Sequence, residues 1–188
     1  MDIQLLRKYW QDNGEKLYTY SPAQVDKSKF DSEAFIFLTT CGLPCDAAPF
    51  LSFSEIKEGK LLTPNQRFKI DFDGLGDYLM FGSNGSGDPI CIDTIDKSQI
   101  IYLNHDSYFE KVFINSSILQ FAVSLTKYRD FIISIIDQTS EDYERRKFSD
   151  TEFEDLKNMF TNIDKFSLTD NSFWTAELDA LLWEREND

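Results

Sequence analysis

His105 is the only histidine in the chain and stands in Asn104-His105-Asp106. An imidazole beside a carboxylate could act as a general base. That chemistry needs something to activate, and no Ser or Cys lies in a nucleophile-elbow context. One histidine also cannot assemble a metal centre. A polar loop residue is the simpler reading. Asp71-Phe72-Asp73-Gly74-Leu75-Gly76-Asp77 has the opening of a calcium loop, but the twelfth position counted from Asp71 is Gly82, where a bidentate Glu is required. A solvated hairpin turn accounts for it better. Gly82-Ser83-Asn84-Gly85-Ser86-Gly87-Asp88 is rich in glycine. A phosphate-cradling loop would continue with Lys-Ser/Thr and a helix. Here Asp88 and Pro89 follow, then an apolar run, so a tight turn needing positive φ is expected instead. The three cysteines, Cys41, Cys45 and Cys91, are too few for a disulfide framework and lack the His or Cys partners of a zinc site. They read as small hydrophobes of a reducing compartment. No catalytic residue, metal ligand or cofactor site emerges, which favours a binding domain over an enzyme.

The elements that carry these residues fall into three zones. Residues 1–42 read as helical. Asp31 can cap a helix, with Phe30 and Phe35 as its hydrophobic staple, and Gly42 and Pro44 stop it. The zone 50–114 reads as strands. Residues 67–73 alternate with period two; 78–81, 89–93 and 99–103 are short apolar runs; and 50–56 is a further strand. The joints between them are too short to cross a sheet, so neighbours must be antiparallel. The zone 115–188 is helical again. Ser117-Ile118-Leu119-Gln120 and Ser149-Asp150-Thr151-Glu152 are capping boxes, the second with Phe148 and Phe153 as staple. A last helix over 172–186 would bury Trp174, Leu178, Leu181 and Leu182. Packing in or near the core is expected for both Trp174 and Trp183, although Trp183 could instead anchor a partner. The whole is an α+β chain: a central sheet of about five or six strands, antiparallel or mixed, flanked by N- and C-terminal helices. It reads as one domain over 1–188, with 1–29 a helical extension, 30–114 a helix plus β-meander, and 115–188 the C-terminal helices.

Composition narrows the function. Of 188 residues, 15% are aromatic, which argues against intrinsic disorder. Lys and Arg number 19 against 33 Asp and Glu, a net charge of −14. Such a surface repels phosphates, so nucleic acid and anionic membrane are disfavoured partners, while a basic protein is attracted. Its one run of three cations, Arg145-Arg146-Lys147, is flanked by Glu141, Asp142 and Glu144, and the acidic stretches 141–155 and 184–188 read as solvated faces. The N-terminus lacks the basic-then-apolar pattern of a secretory signal, and the most apolar stretch, 118–136, holds Lys127, Arg129 and Asp130 at its centre. A cytoplasmic location is expected.

Three segments in order resemble the SUKH superfamily, which includes the yeast cell-wall-synthesis regulators and many bacterial immunity proteins. Phe37-Leu38-Thr39-Thr40-Cys41-Gly42-Leu43-Pro44 is similar to the helix and Gly-Leu-Pro stop of one SUKH subgroup, with Cys41 where an aliphatic residue is usual. Residues 81–93 are similar to that superfamily's strand, Gly-rich turn with Gly-Asp, and apolar strand ending in Asp. Residues 101–106, followed by Phe113-Ile114-Asn115-Ser116-Ser117 and the helix with Phe121 and Leu125, resemble its last strand, helix start and helix. The Phe173-Trp174 helix resembles its ending, so the likeness spans about residues 30–186.

The resemblance implies a domain that acts by binding, neutralising a secreted polymorphic toxin, often a nuclease or deaminase. The charge suits such a partner, since a nuclease carries a basic cleft. Acidic occlusion of the toxin's active site is the expected mechanism. Gly42, Pro44, Gly87 and Asp88 look like fold determinants. For the contact surface, Asp73, Asp77, Asp93, Asp96 and His105 are the candidates, because they fall near strand ends and turns. An intracellular scaffold or regulator on the same fold, and a small hydrolase or ligand-binding protein built on the Gly-rich turn, Asp73, Asp77 and His105, are the alternatives.

Overall fold

The structure is a computed structural model and describes residues 2–53, 59–96, 98–136 and 147–187. Its centre is the run Pro89-Ile90-Cys91-Ile92-Asp93, every residue of which is buried. In chain order the strands are β1 (Leu17–Tyr18), β2 (Leu43–Pro44), β3 (Asp46–Ala47), β4 (Leu51–Phe53), β5 (Tyr78–Ser83), β6 (Pro89–Asp93), β7 (Gln99–Asn104) and β8 (Glu110–Asn115). Strands β3 to β8 form a six-stranded sheet in sequence order, and β1 pairs with β2 apart from it. Every pairing is antiparallel, as the short joints require. Period-two alternation sends Ile90, Ile92 and Ile100 to the main core and Cys91, Ile101 and Leu103 to a smaller cluster on the other face. Both faces of β6 are therefore covered, which is why its sequence is a continuous apolar run rather than an alternation.

Helices α1 (Ile3–Asp12), α2 (Ser32–Thr40), α4 (Ile118–Ile135), α5 (Asp150–Ile163) and α6 (Phe173–Asn187) all supply buried side chains to the main core. Their starts follow the sequence signals. Asp31 accepts from the Ala34 N–H at 2.7 Å and caps α2. Ser149 and Glu152 close the capping box of α5, with the Phe148 and Phe153 rings stacked at 5.7 Å. Ser117 caps α4, but Gln120 does not complete a box; its side chain donates to the Ile163 carbonyl at 2.9 Å and ties α4 to the end of α5. After α2, Gly42 takes φ +75°, and a Cβ there would stand 2.0 Å from the Tyr18 carbonyl oxygen of β1. Only glycine permits that approach.

Other local expectations fail. Residues 67–73 are not a strand. Thr63 and Gln66 form a capping box with Pro64 inside the first turn, starting a short helix, α3 (Pro64–Phe68), which Lys69 ends in a left-handed conformation. Helix-start chemistry outweighs the alternation there, and the 71–77 segment is accordingly a lead-in to β5 rather than a hairpin turn. The Asn65 amide pairs with both backbone groups of Phe72, giving that segment the hydrogen bonds of a strand without one. Within the first, supposedly helical zone, β1 forms because its partner β2 lies beyond Gly42. Strand β8 follows where the sequence reading named none. The turn before it opens on Asn104, whose side chain accepts from the Asp106 and Ser107 N–H groups, and closes on Tyr108 and Phe109 at positive φ, where glycine would be the usual residue. Lastly, Trp183 is 65% exposed, whereas Trp174 is fully buried. Residues 54–56 of the strand read over 50–56, and residues 141–146 and 188 of the acidic stretches, lie outside the described residues.

Candidate interaction surface

An antiparallel meander sends alternate turns to opposite ends of its sheet. One end carries the β3–β4, β5–β6 and β7–β8 turns, and the other carries the β6–β7 turn and the start of β5. The five residues selected from sequence divide between these ends. Asp77, Asp93 and Asp96 meet at the second end, where the Asp77 carbonyl accepts from the Thr94 N–H at 2.9 Å, and Asp73 precedes them on the exposed lead-in to β5. His105 lies at the first end. Along β6 the two groups stand about 16 Å apart, five residues at ~3.3 Å each.

Asp93 is 3% exposed and already engaged. One oxygen accepts from the Ile95 and Asp96 N–H groups at 2.9 and 3.0 Å, fixing the turn; the other lies 2.7 Å from Lys111 Nζ, which also reaches Asp96 at 3.0 Å. Burial works to raise the Asp93 pKa, but Lys111 and the two N–H groups outweigh it and hold the carboxyl below its ordinary range. Asp93 is thus a turn-former rather than an available surface charge. Asp73, Asp77 and Asp96 are exposed.

His105 finds its carboxylate across the sheet rather than next door. Its Nδ1 lies 2.6 Å from Asp88 Oδ1, and its backbone N–H donates to the same oxygen at 2.9 Å, while Asp106 is 3.4 Å from Nε2. Asn84 completes the lock, donating to Asp88 Oδ2 at 2.9 Å and accepting from the Asp88 N–H at 2.9 Å. The bond to Asp88 raises the His105 pKa. The Asp88 pKa is lowered: burial opposes this, and the donors from His105 and Asn84 prevail. The family-like Gly-Asp of the Gly-rich turn therefore ties the β5–β6 turn to the β7–β8 turn. The turn itself uses Gly87 at φ +87°, as expected, and Gly85 to admit Phe50, whose Cβ would be 3.1 Å from a Cβ at position 85.

Three features at the first end escaped the sequence reading. Phe50, on the β3–β4 turn, is 79% exposed. Tyr108, on the β7–β8 turn, is 85% exposed. Beside Phe50 an open groove of about 590 Å³ runs between the β3–β4 hairpin, α4 and α6, with Ile132 and Leu181 among its apolar lining and Asp46, Glu177 and Glu184 as its acids. No local pattern announces any of these, because each depends on which turns share an end. Cys41 and Cys91 are buried, and burial pushes the Cys41 thiol up to about 11. Among the described residues no group of three or more His, Cys, Asp or Glu is placed to hold a metal ion, and no helix is long and apolar enough to cross a membrane.

An antiparallel meander packed against helices is the α+β architecture expected of the SUKH superfamily. The profile of the SUKH-4 immunity protein family matches residues 4–180, and the chain belongs to that family. The match takes in α1, whose Leu6 and Trp10 are buried in the main core, so the family fold begins well before residue 30. No curated protein and no solved structure matches the chain. Membership carries a toxin-immunity role, with a cognate toxin as the partner.

Proposed function

We propose that this chain neutralises a nuclease-type toxin in the cytoplasm, by seating its acidic surface over the toxin's cationic active-site cleft. The observation that carries the reading is the net charge of −14 on a member of an immunity family. A toxin that acts on nucleic acid must concentrate Lys and Arg where phosphates bind. An inhibitor of opposite charge is drawn to that cleft at rates of about 10⁸–10⁹ M⁻¹s⁻¹, against about 10⁵–10⁶ for a neutral pair. Asp73, Asp77 and Asp96 contribute to this steering field from one end of the sheet, with Asp93 holding their turn in place. His105 belongs to the other end. A deaminase acting on nucleic acid would present the same cationic chemistry.

The test is inhibition and its salt dependence. The toxin domain encoded beside this chain's gene should lose nuclease activity at one equivalent of immunity protein. Co-expression should restore growth. The association rate should fall at least about tenfold between low and 0.5 M salt as screening shortens the reach of the field. A complex that forms at a salt-independent rate, or one that leaves the toxin's substrate cleft open, would overturn the mechanism.

A further inference from the structure

We propose that the docking face is the end of the sheet carrying the β3–β4, β5–β6 and β7–β8 turns, with Phe50 and Tyr108 as paired aromatic anchors for the cationic face of the toxin. This rests on the immunity reading and names the surface through which it works.

The argument starts from backbone geometry. Six non-glycine residues have positive φ among the described residues. Four have an internal explanation. Lys69 terminates α3. Ser98 is buried and accepts from the Asp31 N–H. Asn171 is a residue type that adopts this conformation readily. Phe109 packs its ring against Phe72, with centroids 5.1 Å apart. The remaining two are Phe50, at φ 53°, whose conformation no helix end accounts for, and Tyr108, at φ 54°, which like Lys69 ends a short helical turn, 105–107, but there carries a large exposed ring. Each accepts a conformation that glycine or asparagine adopts more easily, and each then holds a large ring in solvent. Holding these rings in solvent does not help the fold. Conformation and exposure are both accounted for if the rings bind something, since exposed, preorganised aromatics are where interfaces concentrate affinity.

The two anchors fit one partner. Their turns are separated by four strand spacings, about 19 Å at ~4.8 Å each. A standard interface covers about 800 Å² per partner, a patch about 30 Å across. The chemistry between and beside the anchors is acidic. Asp106 and Glu110 flank Tyr108 and are exposed, and Asp46, Glu177 and Glu184 line the groove beside Phe50. The phenol of Tyr102, on β7, is raised by burial, with the charges of Asp88, Glu177 and Glu110 adding to the shift. Aromatic faces rimmed by carboxylates suit Arg and Lys side chains, which stack on the ring and pair with the acid.

The experiment uses the full chain and the toxin domain encoded beside its gene. Phe50→Gly and Tyr108→Gly each remove a ring and relieve a left-handed residue. Each should move the urea midpoint upward while weakening toxin binding about 30-fold, the effect of losing one anchor. Phe50→Asn and Tyr108→Asn, which keep the backbone and lose the ring, should weaken binding equally. Asp73→Lys with Asp77→Lys, at the far end, should slow association without changing the dissociation rate. If the Gly and Asn variants bind as tightly as wild type while the far-end pair raises the dissociation rate, the docking face is misplaced and the immunity reading survives. Gly variants less stable than wild type would overturn the strain argument and with it the proposal. Should the unaltered chain fail to bind that toxin domain at all, the immunity reading falls, and the named occupant falls with it.

Discussion

Asn115 offers the sharpest test of how this fold is held. It ends β8, is fully buried, and joins three helices through one amide. Its Oδ1 accepts from Trp174 Nε1 of α6 at 2.9 Å; its Nδ2 faces Asp164 Oδ2 at 3.3 Å, just past α5, and Ser124 Oγ of α4 at 3.5 Å. Asp164 in turn accepts from the Ser116 N–H at 2.6 Å, the Ser116 hydroxyl at 3.0 Å and the Phe166 N–H at 3.1 Å. Asn115→Ala leaves the Trp174 N–H buried without an acceptor, a cost of about 1–3 kcal/mol, and removes one donor from Asp164, about 1 kcal/mol more. The void left by the amide adds roughly 1 kcal/mol. The sum is about 3–5 kcal/mol, a large share of the ~5–15 kcal/mol available to a typical domain. For a chain of this size it corresponds to a Tm lower by roughly 6–20 °C. Urea titration followed by far-UV circular dichroism measures it. Trp174→Phe orphans the same Asn115 oxygen from the other side, so the double variant Asn115→Ala/Trp174→Phe should cost less than the two single losses together, by more than about 1 kcal/mol. An Asn115→Ala midpoint within about 1 kcal/mol of wild type, or additivity within about 0.5 kcal/mol, would refute the account of a shared buried network.

Three other outcomes are expected. Gly42→Ala should cost at least about 2 kcal/mol, because the methyl meets the Tyr18 carbonyl at 2.0 Å. Gly14→Ala, also at positive φ but with nothing within 4 Å, should cost only about 1 kcal/mol; equal losses would show that contact is irrelevant. Ser149→Ala removes the cap of α5 and should cost about 1 kcal/mol by thermal unfolding, with Ser149→Asp nearly neutral. The His105–Asp88 pair should be intact between the lowered Asp88 pKa and the raised His105 pKa. Its contribution is lost as pH rises through the His105 value, and again as pH falls through that of Asp88. By NMR titration, Asp88→Asn should return His105 toward the ordinary imidazole pKa, and an unmoved titration would show that Asp106 rather than Asp88 sets it.

Much of the fold was legible because its signals are local. Asp31, Ser117 and Ser149 cap helices within a few residues of themselves, and each does so in the structure. The runs 89–93 and 99–103 announce strands by composition alone, and short joints leave only antiparallel pairing. The failures are equally physical. At 67–73 two local signals competed, and the Thr63 box with Pro64 prevailed over alternation. At β8 the turn begins on Asn104 but ends on Tyr108 and Phe109, aromatics that do not announce a left-handed conformation. The candidate site was half legible: acidic turns could be listed, but not which of them were already spoken for, as Asp93 is by Lys111.

The sequence by itself determined the class of the molecule: an acidic α+β chain with helix caps, meander strands and the motifs of its superfamily. Each of these follows from neighbours along the chain or from summed charge. Tertiary structure alone decided that His105 answers to Asp88 rather than Asp106, that Asp93 is consumed by its own turn, and that Phe50 and Tyr108 stand at one end of the sheet. Those facts depend on which strands pair and on which turns that pairing brings together, and such long-range register is written in no single stretch of residues.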